Sequence, residues 1–465
     1  MRTHGLLLLM VVFQVIVKAQ EKEPPKFSYF RAEENYDYLK NSNDSIKREK
    51  LDIIKMIPLS KDKEVNLNLG GQIRPRVEHY SNRFWAKEND ETFYSQRLAF
   101  YTNLNVGRHI RVFSELYNGY TSHRKEFVEY DELEFHQLFA EYKGNLSEKT
   151  KISLRFGRQE MAFGSARLVG FREGPNIRRT FDAGRVILNI NKAKIQGFYG
   201  KEVRPNFYAF DNDFTLFDGS ATNPQLWGVY ATVPSKRVFG NQEIYYLGFQ
   251  SDSSRFNDVS GEETRHTVGL RRFGKLGKRF GFNTELIYQF GEIGDSDISA
   301  FNIETDYHYE LIHTKWTPSI GLKLEYTSGD RKTGDGKINT FNPMFVNPAY
   351  YSLAKNITPA NMISVHPSIT IKPVNKLKLY AEWGMFWRAS KHDGLYTPPR
   401  FLVRDAGDVT DTTIGHQIGF TANYEFNRHL SFDLDTSYFI AGGFIEQTGE
   451  SEDIFHIAPT ISYKF

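Results

Sequence analysis

The segment Phe156 to Val186, FGRQEMAFGSARLVGFREGPNIRRTFDAGRV, holds Arg158, Arg167, Arg172, Arg178, Arg179 and Arg185 with Glu160, Glu173 and Asp182 among them. A guanidinium presents a planar fork of donors that matches a carboxylate two bonds at a time. Arginines and lysines gathered around an aqueous passage favour anions. An acidic sugar polymer moving in single file would meet such donors one after another. Further charges recur along the chain at Arg74, Arg76, Arg97, Arg111, Glu115, Glu141, Arg155, Arg271, Glu285, Lys323, Glu325 and Glu382. For any one of them a structural ion pair is as good an explanation as contact with a solute. The grouping is what points to function.

Other chemistries find less support. A serine hydrolase on a barrel rim needs a serine, a histidine and a carboxyl or amide group in reach of one another. No G-x-S-x-G occurs; the nearest sequence is Phe163-Gly164-Ser165-Ala166, and the 13 histidines are scattered. The run Asp330 to Lys337, DRKTGDGK, offers Asp330 and Asp335 to a calcium ion but lacks the other spaced carboxylates of an EF-hand loop. It reads more simply as a glycine-rich turn. There is no cysteine, which excludes thiolate metal sites, disulfides and a lipoprotein anchor. No cofactor or resident metal is expected. A net charge of +3 with a pI near 8.6 gives no reason to expect nucleic acid as a partner.

The elements that must position these charges are strands. From Val65 to Phe465 segments of about 10 residues carry apolar side chains at every second position, which is the β period. Phe455, Ile457, Ile461, Tyr463 and Phe465 share one face, and His456, Thr460, Ser462 and Lys464 the other. Leu377, Leu379, Ala381, Trp383, Met385 and Trp387 oppose Lys378, Tyr380, Glu382 and Arg388 in the same way. One face suits lipid and the other water. A soluble propeller or sandwich shares the alternation, but rarely repeats it so often with so few compact apolar runs between. Aromatic residues at 15% beside a mean hydropathy of −0.50 fit a barrel, where lipid-facing and lumen-facing positions cancel in any average.

Short turns are predicted at 107–109, 144–149, 191–192, 273–279, 374–376 and 426–429. Long connections are predicted near 81–93, 119–132, 159–180, 201–225, 251–263, 329–363, 389–412 and 442–453. Walking through them predicts an all-β, transmembrane antiparallel β-barrel of about 18 strands over residues 65–465, with short periplasmic turns and long extracellular loops. The arginine-rich segment becomes a long loop after the fifth strand that can fold inward and narrow the lumen. The terminal Phe465, in phase with Tyr463 and Ile461, matches the aromatic end by which outer-membrane barrels are recognised for assembly.

Residues 1–19 read as a secretory signal peptide: Arg2, an apolar stretch from Leu6 to Val17, and Val17-Lys18-Ala19 as the cleavage site. The stretch is about 12 residues, against the roughly 20 of a membrane-spanning helix. Residues 20–64 are read as a periplasmic lead-in with a short helix from Ser45 to Met56. About 40 residues are few to fill a wide lumen, and far fewer than the plug of an energised receptor requires.

GRQ followed by GSARLVGFREGPNIRRTFD resembles the signature region of the alginate-export family of outer-membrane porins. The resemblance extends from about Leu69 to Phe465 and includes SGDRKTGDGKINTFNP at 328–343. It implies a monomeric 18-stranded barrel in a Gram-negative outer membrane, with an arginine-rich constriction that passes an anionic polysaccharide by diffusion. By the same resemblance Arg155, Arg158, Arg172, Arg178, Arg179, Asp182 and Arg185 line that constriction. The partners to expect are an anionic polysaccharide or small anionic solute, membrane lipid and a periplasmic secretion apparatus. A general or sugar-specific uptake porin is the alternative, and an outer-membrane enzyme the more distant one.

Overall fold

The computed structural model describes residues 22–40, 46–123, 126, 128–235, 240–398 and 400–465, so the signal-peptide reading of residues 1–19 lies outside the described residues. Eighteen long strands form one closed antiparallel barrel. In chain order they are β1 Val65–Ser81, β2 Glu91–Val106, β3 Ile110–Thr121, β4 Asp131–Ser147, β5 Thr150–Gln159, β6 Phe181–Ile190, β7 Ala193–Glu202, β8 Gln225–Val233 and β9 Asn241–Phe256. The second half comprises β10 Val259–Leu276, β11 Phe280–Ile293, β12 Ser296–Glu310, β13 Ser319–Thr327, β14 Met362–Val374, β15 Leu377–Trp387, β16 Thr413–Glu425, β17 Leu430–Ala441 and β18 Ile454–Lys464. Pairing of β1 with β18, Ile73 opposite Tyr463 and Arg76 opposite Thr460, closes the ring, and closure leaves no edge strand unpaired.

The alternation sorts side chains as the period of two requires. Ile73 is 44% exposed on the outer face, while its neighbour Arg74 is 2% exposed on the inner. Leu98, Phe156, Val186, Leu286, Trp383 and Ile461 continue the outer apolar surface around the ring. So wide a band is tolerable only against lipid. No helix among the described residues is long and apolar enough to cross a bilayer.

The turns at one rim are short and the connections at the other are mostly long, which makes the short-turn rim periplasmic. The long connection predicted at 251–263 is instead a tight hairpin: β9 and β10 continue to Phe256 and Val259 around a two-residue turn, with a register shift between Ser251 and Ser254. Apart from the buried Phe256, SDSSRFND is polar on both faces, and that removes the alternation a strand reading needs. A second tight turn, at Gly294 and Asp295, joins β11 to β12.

Inner faces are not uniformly polar. Phe198, Tyr230, Tyr245, Leu247 and Phe249 point inward and pack against Met161, Phe163, Leu168 and Val169 of the loop after β5 and Phe341, Met344 and Phe345 of the loop after β13. Phe386 and Phe439 do likewise with Trp85 of the loop after β1 and with Leu395, Phe444 and Ile445. Where loops fill the lumen, the inner wall is a protein core and carries core residues.

The N-terminal segment enters the short-turn mouth. Its expected helix is a single 3-10 turn at Lys50–Ile54, Ser45 lying outside the described residues. Flanking residues make their backbone and side-chain bonds with the barrel instead: Ile57 and Pro58 pair with Leu67 and Asn66, Lys55 donates to the Leu69 carbonyl, and Glu49 meets Arg428. Further in, Arg31 donates to Gly71 O at 2.6 Å and Glu33 meets Arg155 at 2.8 Å.

Candidate functional site

The loop at 160–180 lies inside the lumen and reaches from one wall toward the other. On the β1–β2 side, inward arginines hold its backbone. Arg74 donates to Glu173 O at 2.9 Å and Pro175 O at 3.1 Å, Arg76 to Gly174 O at 2.6 Å, and Arg97 to Asn176 O and Pro175 O, both at 2.7 Å. On the opposite side Ser165 donates to Glu285 at 2.7 Å. Arg167 there meets Glu285 at 3.2 Å, Glu325 at 2.8 Å, and Glu304. The loop also forms a parallel bridge, Val169 beside Phe345, with the loop that follows β13.

The arginines of the loop are brought together, each with partners. Arg178 lies 3.1 Å from both Glu160 and Glu173, and donates to Tyr29 O of the N-terminal segment at 2.9 Å. Arg179 meets Glu202 at 2.7 Å and donates to Phe345 O, while Arg172 lies 3.7 Å from the same Glu202 and donates to Ile177 O at 3.0 Å. Burial opposes ionisation of Glu173, yet Arg97, Arg178 and Arg74 together hold it well below the usual carboxylate range. Glu160, with less compensation, is pushed up to about 7 by burial against the pull of Arg178. Burial likewise lowers Arg172, to about 9, and the Arg179 charge adds to the effect.

The remaining candidates divide into separate groups along the wall. Arg111 and Arg155 share Glu141 at 2.5 and 3.1 Å. Arg158 meets Asp182 at 2.8 Å at the outer end of the same wall. Arg271 meets Glu243 at 2.7 Å, and Glu115 accepts from Gln137 at 2.7 Å. Arg185 donates to Gln196 and has no carboxylate within ion-pair reach among the described residues. Asp330 accepts from Asn257 at 3.1 Å, whereas Asp335 accepts from the Lys337 amide at 3.0 Å. These two aspartates form no cluster with a third ligand among the described residues.

Sequence reasoning missed contributors from three places in the chain. Glu202 neutralises Arg172 and Arg179 from the end of β7, with no local pattern to mark it. Tyr350 and Tyr351, in the loop after β13, lie over Lys323 at 4.0 and 4.9 Å, and Tyr351 donates to Glu325 at 2.8 Å. The N-terminal residues Tyr29, Arg31 and Glu33 join these contacts as well, through Arg178, Gly71 O and Arg155. The inner wall also holds a cavity of about 210 Å³, whose lining includes Asp306, His308, Lys323, Tyr380 and Glu382. Its charges are mixed rather than uniformly basic.

The family described as alginate export matches residues 65–456. None of the curated proteins matches the chain. Among solved structures, OpdO of Pseudomonas aeruginosa superposes with a TM-score of 0.55 at 11% identity over 86% of this chain and 97% of its own. OccK2 (OpdF) of the same organism, in complex with glucuronate, gives 0.52 at 12% over 86% and 96%. OpdK with vanillate, also from Pseudomonas aeruginosa, gives 0.53 at 11% over 85% and 98%. At such identities the likeness is one of fold.

Proposed function

The chain belongs to the alginate export family and is an outer-membrane channel, and from that premise we propose that its lumen passes an anionic polysaccharide of the uronate type. The observation that carries this reading is the inward loop with Arg172, Arg178 and Arg179, each already engaged with a carboxylate. A polyuronate presents the same group as Glu173 and Glu202. It can therefore exchange places with them, one guanidinium after another, with little net loss of ion pairing. An unpaired arginine ring would hold a polyanion too tightly for release, since conduction needs binding strong enough to enter and weak enough to leave.

Passage also needs width. The lumen is narrowed by the loop and by the N-terminal segment at the periplasmic mouth, so displacement of one or both opens the route. The barrel acts as a monomer in membrane lipid, and a polymer destined for export reaches it from a periplasmic apparatus. A second reading, uptake of a small sugar acid, is favoured by the cavity of about 210 Å³ beside Lys323, which has the size of a sugar ring rather than a chain. The glucuronate bound by OccK2 is such a solute.

Planar-bilayer recording distinguishes these. Wild-type channel is expected to show a reversal potential that favours anions and a current blocked by polyuronate. The Arg172→Ala, Arg178→Ala, Arg179→Ala variant is expected to lose both. Removal of residues 22–40 is expected to raise the unit current. A cation preference would refute polyanion passage, and block by monomeric glucuronate alone would favour the uptake reading.

A further inference from the structure

A buried cluster sits where the arginine loop leaves the wall. Glu115 on β3, His136 on β4 and Glu160, the first residue after β5, are 1%, 4% and 3% exposed. One ligand atom from each lies within 4.8 Å of the other two. Among the described residues no other group of three potential ligands approaches so closely.

Three features suit this cluster to a cation. First, the backbone is bent to build it. Glu115 pairs with Gln137 and Leu116 with Phe135, so His136 is the extra residue of a β-bulge. A bulge re-aims a side chain at the expense of ladder bonds. Here it turns both His136 and Gln137 inward, whereas a regular strand would send one of them to lipid.

Second, Glu115 Oε1 and Glu160 Oε2 are buried and have no hydrogen-bond partner. Their companion oxygens are occupied, Glu115 Oε2 by Gln137 at 2.7 Å and Glu160 Oε1 by His136 Nε2 at 3.0 Å and Arg178 at 3.1 Å. A free buried carboxylate oxygen is costly. Two of them beside one imidazole make a set of ligand atoms. Third, the set is held in place: Tyr117 stacks on His136 with centroids 4.0 Å apart and planes 19° apart, and the Glu160 amide donates to Gln137 Oε1 at 3.2 Å. Such outer contacts orient ligands for a metal.

We propose that Glu115, His136 and Glu160 bind one divalent transition-metal ion, with zinc the best fit. Two carboxylate oxygens and one imidazole nitrogen are a suitable zinc donor set, and a fourth position is left for water. A small inward shift of the side chains brings all three to bonding distance. The ion would join β3, β4 and the start of the inward loop, clamping that loop where it departs from the wall. It replaces none of the ion pairs that Glu173 and Glu202 make farther along the loop.

The test uses the refolded full barrel, stripped with chelator and then titrated with Zn²⁺ by calorimetry. Co²⁺ absorption reports whether nitrogen and oxygen ligands surround the ion. Wild type is expected to bind one ion at micromolar affinity or tighter. Glu115→Gln, which keeps shape, and His136→Gln are expected to weaken binding at least 100-fold and to lose the cobalt bands. Retention of the heat-modifiable folded band shows that either variant still forms the barrel. Wild type that binds no zinc, or binding that both folded variants keep, would overturn the proposal. In the second case the ion sits elsewhere.

Discussion

Arg167 shows most clearly what a single residue does in this lumen. It is 2% exposed and faces Glu285, Glu304 and Glu325 on three successive strands, β11, β12 and β13. The resemblance singled out its neighbours as constriction residues and passed it over, because its role depends on carboxylates more than a hundred positions away. Removing one partner of a buried ion pair leaves uncompensated charge and costs about 3–5 kcal/mol. Arg167→Met is therefore expected to lower stability by about that amount in urea titrations of the folded band. Adding Glu325→Gln should recover part of the loss. An unchanged midpoint in Arg167→Met would mean that Tyr245, Tyr350 and Tyr351, which donate to these carboxylates, suffice without the cation.

Loops decide how much of the barrel is open, and their mutual attachment depends on pH. Asp393, in the loop after β15, accepts from the Asp330 amide at 2.8 Å, Thr340 Oγ1 at 2.5 Å, the Gly394 amide at 2.7 Å and Tyr396 OH at 2.7 Å. It thereby fastens that loop to the loop after β13. Burial pushes its carboxyl up to about 6 even though these hydrogen bonds pull downward. The folded state thus binds a proton more tightly than the unfolded one, whose aspartate titrates near 3.9. Its contribution is fully present below about 4 and is lost as pH rises through about 6. After correction for intrinsic rates, hydrogen exchange at residues 328–342 and 393–397 is expected to be slower at pH 5 than at pH 7.5. Asp393→Asn should remove the difference. Equal protection at both pH values in wild type would contradict the linkage.

At the scale of the whole barrel, a side chain's consequence is set by which face it occupies. Leu98 is the middle of β2 and faces outward beside Ile73, while the next position inward is Arg97, wholly buried against the loop. Leu98→Arg is expected to cost about 2–4 kcal/mol in vesicle unfolding, the penalty of a cation at the bilayer midplane. A negligible cost would show that this face does not meet lipid. The period of two made the strands, the ring of about eighteen and the inward phase of Arg74, Arg97, Glu141 and Arg155 legible in the sequence, because alternation is a local property of the chain. The motif around Arg172 and Arg178 was legible too, as a charge-rich run in a long loop. Where the two-faced pattern lapsed, at 251–263, a hairpin passed for a loop. Other features depend on pairing and on the closed lumen. Hairpin register brings Glu202 to Arg179 and His136 to Glu160, whereas the closed lumen brings Glu325 to Arg167 and Tyr29 to Arg178. Whether an arginine stands free or neutralised is a question of such distances. Local pattern carries the strand and its faces, but only the closed barrel decides which charges meet across the lumen.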